Sequence, residues 1–119
     1  MTHPLTLLQI QNKLRDFNNE RDWGQYHSPR NLAMALSVEA AELLELFLWS
    51  SDFGPQPPVI GREQKVADEA ADVLICLLNF CDQMGLDLLE VTNAKIERNR
   101  LKYPVEKAMG RLEKHNELE

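Results

Sequence analysis

The chain has 119 residues, with 13 Lys and Arg against 19 Asp and Glu, for a net charge of -6. Single domains cluster at roughly 100 to 150 residues, so this length suits one domain, 1–119; a composition 44% hydrophobic and 27% charged is that of a folded chain and not of a disordered one. The acidic balance excludes a nucleic-acid polymer held by counterion release, but carboxylates that first collect divalent cations still admit a polyphosphate.

No window approaches the roughly 18 apolar residues that a membrane span needs, and the first 14 residues carry no basic stretch ahead of an apolar core. No membrane partner and a cytoplasmic location are therefore expected. Cys76 and Cys81, the only cysteines, would point about 140° apart on one helix and so cannot pair with each other, as befits free thiols in a reducing compartment.

Taken in chain order, Leu5, Leu8, Ile10, Leu14 and Phe17 recur at near-helical spacing and predict a first amphipathic helix ending near Glu20. Residues 21–27 have a glycine and three ring-bearing side chains but no period, and read as a loop. Ser28 followed by Pro29 is a helix-start signal, and the second helix is expected to run to about Trp49. Three prolines and two glycines in residues 50–61 make that stretch a connection. A third helix is predicted from about Arg62 to Met84, ended by Gly85; Asp87 with Glu90 caps a fourth, which stops near Lys102 ahead of Pro104. Residues 105–119 read as a last helix or a frayed tail. The fold class is all-α, four-helix-bundle-like.

Two helices carry acids where a core helix should not. With Leu36 at 0°, the side chains Leu32, Ala40, Leu43 and Phe47 lie within about 40° of it, while Glu39 and Glu42 fall near 300° and 240° and Met34, Ala41 and Leu48 take the far side. These acids interrupt an otherwise apolar cylinder. In the third helix Lys65, Glu69, Asp72, Asn79 and Gln83 form one narrow polar stripe on a mostly apolar surface. If the two helices pack antiparallel, Glu39 and Glu42 face Glu69 and Asp72 across the groove.

Buried carboxylates cost several kcal/mol each by desolvation, roughly, unless paired or bound to a cation. An all-oxygen set without His or Cys favours Mg²⁺, and the absence of a Glu-x-x-His repeat disfavours a di-iron site. The competing expectation is that these acids are solvated or pair with Lys65, Arg30 and Arg62.

The spacing Glu39-x-x-Glu42 followed by Glu69-x-x-Asp72 resembles the paired acidic motif of the all-α, MazG-like nucleotide pyrophosphohydrolases, which include MazG, dimeric dUTPases and phosphoribosyl-ATP pyrophosphohydrolase. The aromatic loop Trp23 to Asn31, the run Glu39 to Glu45, Trp49, and the set Lys95, Asn99, Arg100, Tyr103, Pro104 resemble the small dCTP pyrophosphatase branch over residues 5–104. The resemblance implies a homotetramer of helical protomers, and a second helix apolar on nearly every side agrees with it. It implies Mg²⁺, with Mn²⁺ as a substitute, held by Glu39, Glu42, Glu69 and Asp72, which also make up the catalytic set. It implies release of pyrophosphate and a monophosphate from a nucleoside triphosphate, dCTP or a modified pyrimidine, in nucleotide-pool house-cleaning.

The expected substrate contacts are Lys95, Asn99 and Tyr103 on phosphate, Trp23 and Trp49 around the base, His27 on the base or on phosphate, and Arg30 beside them; Glu45, one turn beyond Glu42, is a further candidate to orient water. Where members of the branch often have tyrosine four residues after the aspartate, this chain has Cys76, which leaves a dUTP- or dATP-preferring enzyme open. A different class of reading is a non-catalytic helical oligomer, a metal-binding scaffold or regulatory partner.

Overall fold

A computed structural model describes residues 3–49 and 61–118. Helices and turns are the only regular structure among them: α1 (Leu7–Glu20), α2 (Pro29–Glu45), α3 (Glu63–Met84), α4 (Leu88–Lys102) and a single-turn α5 (Val105–Ala108), with short 3₁₀ turns at Trp23–Tyr26 and His115–Glu117. The chain divides into two compact units, Met1–Leu86 and Asp87–Glu119.

Local chemistry sets the boundaries. Thr6 opens α1 with a reciprocal cap: its hydroxyl accepts from the Gln9 amide at 3.1 Å, and its own amide donates to Gln9 Oε1 at 2.8 Å. Ser28 accepts from the Asn31 amide at 3.1 Å with Pro29 at the first helical position, as the sequence predicts. Asp87 likewise accepts from the Glu90 amide at the start of α4. Gly85 stops α3 in the left-handed region at φ 66°, where the Leu86 amide reaches back to the Cys81 carbonyl at 2.8 Å and Gly85 to Asp82 at 3.3 Å.

One boundary differs from the sequence expectation. α2 ends at Glu45, four residues before Trp49. The amides of Leu46, Phe47 and Leu48 bond three residues back instead of four, and Trp49 then turns to φ 66°. Such tightening is how a helix satisfies its last carbonyls, and a left-handed residue cannot continue it. The expected connection at 50–61 lies, apart from Gly61, outside the described residues.

Within the first unit α3 is the central element, packed along α2 and touching α1. Leu32, Leu78 and Cys81 form its buried centre, and Leu78 is completely enclosed. Both cysteines are free thiols. Arg15 of α1 grips Asp82 of α3 with its Nε 2.9 and 3.0 Å from the two carboxylate oxygens and its Nη2 on Oδ1. α2 exposes Met34, Val38 and Leu44, and the turn after it Leu48, all more than half accessible.

Candidate active site

Glu39 and Glu42, three apart on α2, sit on one helix face, as do Glu69 and Asp72 on α3. Packing of the two helices brings Glu39, Glu69 and Asp72 together, with one carboxylate oxygen from each within 4.8 Å of the others. Glu42 stands beside Glu39, close enough that its charge acts on it. All four are half-buried. Leu32 and Ala35, earlier in α2, line the same cavity as Ile75, Cys76 and Asn79, later in α3, so the helices run in opposite senses and the acids of each meet.

The electrostatics are those of a site short of positive charge. Glu39 Oε2 and Glu69 Oε2 are enclosed and have no hydrogen-bond partner. Burial, then the neighbouring Glu42, Glu69 and Asp72 carboxylates, push Glu39 up to about 7. Burial first, together with the charges of Glu42 and Asp72, also raises Glu69. The pairing of these acids with Lys65, Arg30 and Arg62 does not occur: among the described residues the ion pairs are Arg15–Asp82, Arg21–Glu20, Arg100–Glu97 and Arg111–Glu113. Two lone, enclosed carboxylate oxygens beside a third acid are the coordination chemistry of a hard divalent cation, so this donor set fits a metal ion.

The acids open onto a cavity of about 750 Å³. Its walls come from one stripe each of α1, α2 and α3 and from the 23–27 turn, and Glu39 and Asp72 stand at one side of it. Trp23 and His27, expected at the base, both line it; Trp23 meets Phe17 edge-on with ring centroids 5.5 Å apart and His27 at 6.5 Å. The αL backbone of Asp22 at φ 53° makes the sharp entry that turns this aromatic group back over α1. Cys76 lies in the wall one turn beyond Asp72; burial, then the Glu39 and Asp72 charges, push its thiol up and keep it protonated.

Other expected contacts stand elsewhere. Arg30 is exposed at the start of α2 and does not line the cavity. Trp49 is 95% accessible. Glu45, the last residue of α2, is also exposed. Lys95 and Asn99 share a face of α4 in the second unit, Lys95 exposed and Asn99 half-buried, and Tyr103 there meets His115 edge-on at 6.1 Å.

The sequence reading missed Lys13, Asn18, Tyr26 and Asn31, all cavity-lining. Lys13 and Asn18 sit three and eight residues after Ile10 on the stripe α1 turns inward, among many other polar residues of that helix.

The chain resembles proteins of known activity. It is 39% identical to dCTP pyrophosphatase 1 of Mus musculus over 115 residues, 95% of this chain and 68% of the mouse protein. Against dCTP pyrophosphatase 1 of Homo sapiens the identity is 38% over the same shares. The crystal structure of a pyrophosphatase from Archaeoglobus fulgidus matches with TM-score 0.78 and 39% identity, covering 87% of this chain and 97% of that one. The model of the MazG-like family matches residues 34–118, a span that contains all four acids, and with these identities the chain belongs to the MazG-like family.

Proposed function

We propose that this protein is a Mg²⁺-dependent nucleoside triphosphate pyrophosphohydrolase that cleaves dCTP or a closely related pyrimidine triphosphate to the monophosphate and pyrophosphate. The observation that carries the reading is the pair of enclosed, partnerless oxygens on Glu39 and Glu69, beside Asp72, at the side of a cavity large enough for a nucleoside. Its relatives named as dCTP pyrophosphatases support the substrate.

Glu39, Glu42, Glu69 and Asp72 would hold the cation. Bound there, Mg²⁺ would supply positive charge to the phosphate oxygens as the bond between the α phosphorus and the oxygen bridging it to the β phosphorus breaks. The chain's own residues do the rest. Water attacks the α phosphorus; one of the four acids, or Glu45, orients it and takes its proton; the pyrophosphate oxygen leaves with the bonding electron pair. Trp23 and His27 offer flat faces to the base.

Lys95, Asn99 and Tyr103 are proposed phosphate contacts, and Arg30 and Trp49 substrate contacts. Residues 1–119 are read as a single MazG-like domain, with its core at 5–104. A homotetramer suits the exposed apolar side of α2 and the bare indole of Trp49. Cytoplasmic nucleotide-pool cleaning is the setting this activity would serve, and no helix among the described residues is long and apolar enough to cross a membrane.

The test is pyrophosphate release from a panel of deoxynucleoside triphosphates, each with Mg²⁺, with Mn²⁺ and with chelator. Metal-dependent release led by dCTP or a modified cytosine is expected. Release led by dUTP or dATP would overturn the substrate, and none from any triphosphate would leave a metal-binding helical scaffold.

A further inference from the structure

Two turns along α3 from Asp72, on the same stripe, Asn79 lines the cavity. Seven residues at 1.5 Å each place it about 10 Å from the acidic end, the separation a sugar leaves between a phosphate and the far edge of its base. Opposite stands Asn18, in the last turn of α1, and its Nδ2 donates to Asn79 Oδ1 at 3.1 Å. Among the described residues no other side-chain hydrogen bond engages either amide. Asn18 Oδ1 is thus left to accept, and Asn79 Nδ2 to donate, side by side on the cavity wall.

We propose that the Asn18–Asn79 amide pair reads the hydrogen-bonding edge of the substrate base, and so sets base selectivity. One acceptor beside one donor matches an exocyclic amine next to an unprotonated ring nitrogen, the edge that cytosine presents. Asn18 Oδ1 takes the amine and Asn79 Nδ2 serves the ring nitrogen. Uracil and thymine present the reverse, a carbonyl beside an N–H, and engage the pair only if both amides turn over together and exchange donor and acceptor in the bond between them.

The pair is built to hold still. Three residues before Asn18, Arg15 grips Asp82, which lies three residues after Asn79, so a bidentate ion pair locks the helices one turn away. Asn79 itself follows the fully enclosed Leu78 and precedes the buried Cys81. Trp23 and Phe17, which also line the cavity, provide apolar ring surface beside the amides.

This inference rests on the proposed nucleotide activity for its ligand class, but its test does not need turnover. The full chain, in Mg²⁺, is titrated calorimetrically with dCMP, dUMP and 2-deoxyribose 5-phosphate, none of which has an α–β anhydride to cleave. The native protein should prefer dCMP to dUMP. Asn79→Ala, and separately Asn18→Ala, should weaken dCMP about 3- to 10-fold, the loss of one neutral hydrogen bond, bring the dCMP-to-dUMP ratio toward one, and leave the baseless sugar phosphate unchanged. Asn79→Asp keeps an acceptor for Asn18 but puts a charged acceptor where the free donor stood, so it should lower the dCMP-to-dUMP ratio at least as far even if the alanine variants fold poorly. Equal affinity of the native chain for dCMP and dUMP would overturn the proposal. So would variants that keep the native ratio, or that weaken the sugar phosphate as much as dCMP, which is the behaviour of a helix brace. Absence of pyrophosphate release in the triphosphate panel, with these ratios intact, would sink the activity and spare the base-edge assignment.

Discussion

Mg²⁺ binding to the acidic cluster should be strongly proton-linked, and Glu39 sets the window. Its carboxyl is pushed up to about 7 by burial and by Glu42, Glu69 and Asp72, against 4.5 for the free side chain. Cation and proton compete for the same oxygens, so affinity is lost as pH falls through 7. At pH 8 the group is about nine-tenths ionised and at pH 6 about one-tenth, so the apparent affinity should drop about ten-fold between them. Glu69 is raised as well, by burial first, so the cluster titrates as a coupled set. Without metal the sign for folding is the reverse of the usual carboxylate. A folded-state value above the unfolded one means the native chain holds the extra proton, so stability is fully present below about 4.5 and is lost as pH rises through about 7. Isothermal titration of Mg²⁺ at pH 6, 7 and 8, in buffers of different ionisation heat, gives affinity and released protons together. About one proton released per site at pH 6 and almost none at pH 8 is expected. An affinity flat across that range, with no buffer-dependent heat, would refute a cluster whose neutral form persists to pH 7.

Four further outcomes follow from the same geometry. Glu42→Gln should cut turnover by about 10² or more while helix content by circular dichroism and assembly size by light scattering stay unchanged. Leu78→Ala, at a position with 0% exposure, should cost about 2 to 5 kcal/mol in denaturant unfolding. Ser28→Ala removes the hydroxyl that caps α2 and should cost about 0.5 to 2 kcal/mol in the same assay. Gly85→Ala meets no neighbouring atom, so only its φ of 66° opposes it, and a loss of about 1 kcal/mol is expected.

What the sequence makes legible is whatever depends on local order. Ser28 with Pro29, Gly85 and Asp87 each act through amides within a few residues, and each boundary falls where its chemistry places it. The meeting of Glu39 with Glu69 and Asp72 is legible for a related reason: two period-matched acidic interruptions in apolar helices have few ways to pack other than against each other. Trp49 is different. Its helical spacing from Leu46 says nothing of where the last carbonyls find donors, and the tighter bonding of residues 46–48 decides it. Lys13 and Asn18 escape notice because α1 is polar between its apolar positions. Only the side on which α3 packs separates a cavity-lining Asn18 from an exposed Asn19.

The cluster also accounts for how an acidic chain can handle a still more acidic ligand. A net charge of -6 repels a triphosphate over the whole surface. At the site itself, enclosure of Glu39 Oε2 and Glu69 Oε2 raises the free energy of the empty, ionised form, and that penalty is relieved by whatever cation arrives. A cation so bound turns the most negative point of the cavity into the point where phosphate oxygens are most welcome, while the rest of its wall is mostly apolar or neutral. On the proposed function, binding of the triphosphate would be conditional on the metal, and the end of the cavity where Trp23 and the two asparagines stand would be left to discriminate by shape and hydrogen bonds. Selectivity and charge neutralisation thus reside at opposite ends of one α3 stripe, Asn79 and Asp72, and substitutions at one end should add to those at the other with little coupling.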